Sequence, residues 1–92
     1  MRTPPQDVEA EQSVLGAMLL SKDAIADCVE SMTGDDFYKP AHETIYEAVL
    51  DLYSRGEPAD SVTVANYLTK TADLSRVGGA AYLRPLISSV PT

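Results

Sequence analysis

The residues whose side chains could do chemistry are few and lie apart along the chain. Asp35 and Asp36 are adjacent carboxylates, a pair that could hold a metal ion or act in acid–base catalysis. They stand in a Gly-containing turn before a predicted helix, where such acids usually cap the helix and face solvent. His42 is the single histidine, with Glu43 beside it but no serine or cysteine placed for activation. We therefore expect His42 to pack or to form hydrogen bonds beside Phe37-Tyr38.

Two further features resemble parts of reactive sites. Gly78-Gly79 precedes a predicted helix, but it lacks both the Lys-Ser/Thr of a nucleotide-binding loop and the third glycine of a dinucleotide fingerprint. We interpret the pair as a turn that lets two helices pack closely. Cys28 is the only cysteine and lies in an apolar stripe, so a buried and inert thiol is expected. No zinc-ligand spacing is present, and we predict no catalytic, cofactor-binding or metal-binding residue.

Helical periodicity predicts the elements that must position these residues. The fold class is all-α, a small orthogonal or antiparallel bundle of about five helices joined by short links. Residues 1–6 are predicted to form an extended lead-in, and residues 7–92 the helical domain. The predicted helices are Val8 to Leu20, Lys22 to about Met32, Pro40 to about Ser54, one that begins after Asp60 or Ser61, and Ala80 to about Ser89.

Three residues set local expectations. Gly16 costs about 1 kcal/mol relative to alanine inside the first helix, which a closely crossing helix would explain. In the fourth helix, Val62 is expected on the buried side together with Leu68. Pro85 would remove a hydrogen bond inside the fifth helix, so this helix is either kinked or begins late enough to place Pro85 in its first turn.

Composition excludes several function classes. Fourteen acidic and seven basic residues give a net charge of −7, and the seven basic residues are scattered along the chain. This charge opposes direct binding of a phosphate backbone. No apolar run approaches the roughly 18 residues of a membrane span, and the N-terminus lacks the apolar stretch of a secretory leader. One cysteine cannot form an internal disulfide, which favours a reduced, intracellular setting.

Four blocks of sequence carry a resemblance to a known family. The blocks are PPQDVEAEQSVLG from Pro4, DFYKPAH from Asp36, RGEPADSVT from Arg55, and VGGAAYL from Val77 together with the final VPT. They resemble the N-terminal domain of the bacterial replicative DNA helicase, the DnaB-type helicase family. They occur in the order of that family and cover nearly the whole chain, and the first two are the most specific.

The resemblance implies a non-catalytic globular head. In that family a helical hairpin, a linker helix and an ATPase motor domain follow, and the chain ends where the hairpin would begin. ATP and Mg²⁺ are expected only for the motor domain. The implied roles are a place in the collar of a hexameric ring and docking of the primase C-terminal domain, with a helicase loader as a further candidate partner. The implied setting is cytoplasmic, in the replisome at the nucleoid, with no membrane partner.

The same resemblance suggests contact residues. Glu9 and Glu11 on the polar side of the first helix, and Tyr82 at the head of the fifth, resemble positions that the family exposes near its partner surface. Alternatively, Tyr82 is half-buried against the first helix and the two glutamates only serve the helix dipole.

Two other function classes remain open from the residues alone. A stand-alone nucleic-acid-binding module could stack bases on Tyr38, Tyr53 and Tyr67. A small acid–base enzyme would use His42 with Asp35 or Asp36, although a domain of this size can rarely spare a pocket from its core.

Overall fold

A computed structural model describes residues 7–90, and the predicted lead-in 1–6 lies outside the described residues, as do residues 91–92. The described chain is all-helical, as predicted. The elements are α1 (Val8–Leu20), α2 (Lys22–Ser31), a 3₁₀ turn (Gly34–Asp36), α3 (Pro40–Ser54), α4 (Ser61–Lys70), a 3₁₀ turn (Ser75–Val77), α5 (Ala80–Leu83) and a 3₁₀ segment (Arg84–Ser89).

Polar side chains at the helix ends explain where the helices begin. Asp7 accepts a hydrogen bond from the Ala10 N–H at the start of α1. Ser21 and Asp60 cap α2 and α4 in the same way. Each cap satisfies backbone donors that the first helical turn leaves without a partner. The start of α3 differs, because Lys39 at its N-cap position makes no side-chain capping bond.

The fifth helix departs from the prediction. The expected single helix from Ala80 to about Ser89 is an α-helix over Ala80–Leu83 that continues as the 3₁₀ segment Arg84–Ser89. Pro85 lies in the first turn of that 3₁₀ segment, and its missing N–H cannot donate to the Ala81 carbonyl as the α-helical pattern requires. The proline therefore ends the α-helix early and does not kink a continuous one.

The core is arranged around α3, which contacts α1, α2 and α4. Ile45 and Val49 of α3 are fully buried, and the Tyr46 hydroxyl donates to the carbonyl of Met32 beyond the end of α2 (3.0 Å). In α4 the expectation for Val62 is wrong. Its side chain is 66% exposed, and Val64 with Leu68 forms the buried side instead.

Gly16 explains how α1 and the 3₁₀ segment approach each other. A Cβ atom added to Gly16 would overlap the carbonyl oxygen of Leu86. The helix that crosses closely at this glycine, expected from the sequence, is therefore the segment Arg84–Ser89. Within residues 7–90, no helix is long and apolar enough to cross a membrane.

Candidate functional site

A buried hydrogen-bonded chain connects three of the helices. His42, in the first turn of α3, is fully buried, and its Nδ1 lies 2.7 Å from Oε1 of Glu11 on α1. The other ring nitrogen, Nε2, lies 2.6 Å from the hydroxyl of Tyr82 on α5. The rings of His42 and Tyr82 stack, with centroids 5.9 Å apart. Glu11, His42 and Tyr82 are called the polar triad below.

Glu11 also holds the backbone at the start of α3. Its Oε2 accepts the Tyr38 N–H at 2.7 Å, and its Oε1 accepts the Lys39 N–H at 3.4 Å. These donors precede a helix whose N-cap residue has no capping side chain. A carboxylate supplied by α1 therefore takes the place of a local cap, where negative charge is favoured by the helix dipole.

The hydroxyl of Tyr82 is shared by several neighbours. Gln12 Nε2 donates to it from 3.1 Å, and Lys39 Nζ donates from 3.4 Å. A phenol has one proton and two acceptor positions, so its own proton must go to His42 Nε2. This count assigns the neutral imidazole, with its proton on Nδ1 donated to Glu11. Every polar atom of the triad then has a partner, and no described buried side-chain polar atom lacks one.

Electrostatics favour the same neutral state. Burial lowers the pKa of His42 below its usual value of 6.5, since the apolar surroundings disfavour the charged ring. The Lys39 charge lowers it further, while the hydrogen bond and the charge of Glu11 raise it and offset part of the effect.

The turn at Gly78-Gly79 allows Tyr82 to lie close to the backbone that precedes α5. Both glycines have positive φ, and a Cβ on Gly78 would come within 2.8 Å of the Tyr82 Cβ. The pair forms the predicted turn, and it does not fit a phosphate. Its N–H groups donate to the carbonyls of Ser75 (3.3 Å) and Leu74 (2.9 Å), and the following helix, Ala80–Leu83, has only four residues. These residues do not fit ATP, whose phosphates need free N–H groups and a lysine.

The proposed contact residues fall into different environments. Glu9 is exposed and lines a polar surface recess with Gln12, Ser13 and Ser89. Tyr82 is half-buried against α1 through Gln12, which agrees with the alternative interpretation of this residue. The expected exposure of Glu11 is wrong, because its side chain is only 2% exposed.

A signal for the burial of Glu11 exists in the sequence. Two residues apart on a helix are about 200° apart around its axis, so Glu9 and Glu11 cannot share one side. Glu11 precedes Leu15 by four positions and Met18 by seven, which places it on the apolar face. Its partners on α3 and α5 carry no such signal, because they come from distant parts of the chain.

The other candidates are not gathered into a site. Asp36 accepts the Thr33 N–H (2.9 Å) in a capping box, as expected for a capping acid. Cys28 is half-buried at the edge of the core and not fully buried, and burial together with the Asp27 charge raises its pKa. Among residues 7–90, no group of histidine, cysteine and acidic side chains is placed to hold a metal ion.

Two of the three tyrosines proposed for base stacking, Tyr38 and Tyr53, lie at opposite ends of α3. Tyr38 precedes α3 and is exposed, whereas Tyr53 lies in the last turn of the same helix. A helix of this length spans about 22 Å, so these rings do not form one stacking platform. Tyr67 on α4 packs beneath the Arg55 guanidinium, 5.8 Å from the ring centroid.

Comparison with known proteins gives a consistent result. The sequence model of the DnaB-like helicase N terminal domain matches residues 3–92. Replicative DNA helicase DnaB of Mycobacterium leprae (strain TN) is 65% identical over 91 residues, which are 99% of this chain and 15% of that protein. Replicative DNA helicase DnaB of Leifsonia xyli subsp. xyli (strain CTCB07) is 63% identical over 91 residues, 99% of this chain and 20% of that protein.

The fold agrees as well. The crystal structure of the N-terminal domain of DnaB helicase from Mycobacterium tuberculosis superposes with a TM-score of 0.93 at 64% identity, covering 98% of this chain and 65% of that one. The chain spans a fifth or less of the length of the two helicases. On the family match and the shared fold together, this chain belongs to the family of DnaB-like helicase N-terminal domains.

Proposed function

We propose that this chain is a non-catalytic assembly and docking domain of a replicative DNA helicase. It contributes to the collar of the hexameric ring and docks the C-terminal domain of primase during DNA replication. The docking surface is the outer side of the polar triad, with Tyr82, Gln12 and Glu9. A helicase loader is a further candidate partner, and ATP with Mg²⁺ belongs to the motor domain that follows in the family.

The observation that carries the proposal is the way Tyr82 is held at the surface. Its hydroxyl is fixed by His42, Gln12 and Lys39, while the residue itself stays half-buried and partly open to solvent. A tyrosine in a fixed orientation suits an interface, because it offers a large rigid area with a polar tip at low conformational cost.

A catalytic use of the triad is disfavoured by its hydrogen bonds. The order carboxylate–imidazole–hydroxyl is that of an activated nucleophile. Here both acceptor positions of the Tyr82 hydroxyl are occupied by Gln12 and Lys39, and His42 is 0% exposed. No position remains at which a substrate could meet the hydroxyl, which supports a docking role over an enzymatic one.

The proposal is tested by an NMR titration of the isotopically labelled chain with the primase C-terminal domain of the same organism. We expect shifts that cluster on the first half of α1 and around Tyr82. The Glu9→Gln variant should bind more weakly, and Glu30→Gln, a matched change of an exposed acid on α2, should bind like the wild type.

Two results would contradict docking at this surface. One is a set of shifts that clusters on α2 or α4 and spares α1. The other is an absence of shifts both with this chain and with a longer chain that continues through the hairpin after Thr92.

A further inference from the structure

Gln12 and Lys39 each donate a hydrogen bond to the Tyr82 hydroxyl. The remaining N–H bonds of these two side chains have no acceptor among the described residues. Lys39 Nζ carries three protons, and its single polar contact there is the Tyr82 hydroxyl at 3.4 Å. Gln12 Nε2 carries two protons, and one is donated to the same hydroxyl at 3.1 Å. Two ammonium protons and one amide proton are therefore left over, on two nitrogens that share one acceptor.

Lys39 also lacks a carboxylate partner. The ion pairs among residues 7–90 join Arg55 to Asp51 and Arg76 to Asp73, and neither includes the Lys39 ammonium. The ammonium lies 4.6 Å from the centroid of the Tyr82 ring, which holds it over the ring face. Both Lys39 and Gln12 are half-buried, so their positions are restrained.

Helix stability does not account for a cation at this place. Lys39 is the N-cap residue of α3, where the helix dipole disfavours positive charge. In a chain with 14 acidic and seven basic residues, Lys39 is held here with no carboxylate partner among the described residues.

We infer that Gln12, Lys39 and Tyr82 form a receptor for a carboxylate of a protein partner, the side chain of an aspartate or glutamate on the docked domain. The carboxylate accepts from the free N–H bonds of Lys39 and Gln12, and it leaves the three hydrogen bonds of the Tyr82 hydroxyl intact. The inference rests on the proposed docking function and names the chemistry of its central contact.

The surroundings favour a single carboxylate over a phosphate chain. Glu9 lies three residues before Gln12 on α1, lining the adjacent recess together with Gln12. A ligand with several negative charges would meet this acid as well as the net charge of −7. A partner that places one carboxylate at Lys39 and neutral or basic groups toward Glu9 complements the charges on both sides of Gln12.

The test compares the affinity of the primase C-terminal domain for three variants. Lys39→Gln removes the charge, Lys39→Arg keeps it, and Lys22→Gln is the control, an exposed lysine that also stands at the start of a helix. We expect Lys39→Gln to weaken binding by about fivefold and to reduce its salt dependence, as for loss of a partly exposed ion pair. Lys39→Arg and Lys22→Gln should bind like the wild type.

A second measurement does not depend on the partner. Acetate serves as the probe carboxylate, and the side-chain amide signal of Gln12 is followed by NMR against chloride at equal ionic strength. We expect a saturable shift with acetate that is absent in Lys39→Gln. If the wild-type chain does not bind the primase domain, the docking proposal fails, and the acetate titration alone decides the carboxylate receptor.

Three outcomes would overturn the receptor while leaving docking in place. The first is equal primase affinity of Lys39→Gln and the wild type. The second is a Gln12 signal that responds alike to acetate and chloride. The third is weaker binding of a single-stranded oligonucleotide by Lys39→Gln with primase affinity unchanged, which would assign the donors to phosphate.

Discussion

At the scale of single residues, Glu11 is a buried acid of α1 that binds the start of α3 through three hydrogen bonds. It accepts hydrogen bonds from His42 and from the N–H groups of Tyr38 and Lys39 while nearly fully buried. A buried carboxylate is costly unless hydrogen-bond donors satisfy its lone pairs, as they do here. Its removal leaves three donors without an acceptor.

Truncation of Glu11 is therefore expected to destabilise the domain. Glu11→Ala should lower the free energy of unfolding by about 3 kcal/mol, because the partners it leaves behind stay buried without an acceptor. Glu9→Ala, a change of an exposed acid on the same helix, should cost less than about 1 kcal/mol. Urea unfolding of both variants checks this, and equal effects would mean that the triad does not stabilise the fold.

The stability should also depend on pH through His42. Its pKa is lowered in the folded chain, so the unfolded chain binds the proton more readily. The stabilisation is complete above the unfolded pKa of about 6.5 and is lost as the pH falls from there toward the folded pKa. The loss is at most about 1.4 kcal/mol per pH unit. Carboxylates titrate mainly near pH 4 and add their effect lower.

The measurement is a series of urea unfolding curves between neutral pH and about pH 5.5. His42 is the only histidine, so a His42→Gln variant should lose the slope in this window. Wild-type stability that stays constant or rises on acidification through this window would contradict the neutral, buried imidazole.

At the scale of elements, the contact between α1 and the segment Arg84–Ser89 brings Gln12 toward Tyr82. The Ser13 hydroxyl donates to the Ser89 carbonyl (2.8 Å), and Gly16 lies against the backbone of Leu86. Pro85 ends the α-helix before this contact, and the narrower 3₁₀ segment carries the Leu86 carbonyl to α1. The orientation of Tyr82 thus depends on backbone packing two turns away from it.

Gly16→Ala tests that contact. Alanine alone would favour the helix by about 1 kcal/mol, but its methyl group would overlap the Leu86 carbonyl. We expect a net destabilisation of about 1–3 kcal/mol in thermal or urea unfolding, with NMR shifts at Tyr82. Gly34→Ala is the matched control, since its added methyl would meet only flexible side chains of Glu43 and Glu47, and it should change the stability by less than about 0.5 kcal/mol.

At the scale of the whole molecule, charge distinguishes a protein-docking domain from a nucleic-acid-binding one. The basic residues are scattered along the sequence, and two of them, Arg55 and Arg76, are paired with acids. Of the tyrosines that could stack bases, Tyr38 and Tyr53 lie at opposite ends of α3. The net charge of −7 therefore dominates at long range.

We accordingly expect no binding of a labelled single-stranded oligonucleotide at low salt, where contacts of basic residues with phosphate would be strongest. Fluorescence anisotropy checks this, and the control is a chain in which Glu9, Glu30 and Glu57 are changed to lysine, which removes most of the net negative charge. Salt-dependent binding of the wild-type chain would favour the stand-alone nucleic-acid module.

Much of the architecture follows from local sequence. Asp7, Ser21 and Asp60 cap helices at the predicted positions, and Pro40 begins α3 as expected. Capping and turn formation involve residues within three or four positions of each other, so they do not depend on the tertiary fold and can be predicted from the sequence. The family resemblance rests on the same short blocks and is confirmed by the comparisons.

The sequence did not predict the polar triad, nor that Lys39 and Gln12 donate to the hydroxyl of Tyr82. Glu11 and His42 are 31 residues apart, and His42 and Tyr82 are 40 apart. Hydrogen bonds between residues so far apart in the sequence produce no periodic pattern in it, because they depend on how three helices pack against one another. The sequence alone determined the first four helices, the caps of three of them, the acidic charge and the family. Only the tertiary structure decided that Glu11 is buried, that His42 joins it to Tyr82, and that Lys39 and Gln12 meet at one hydroxyl.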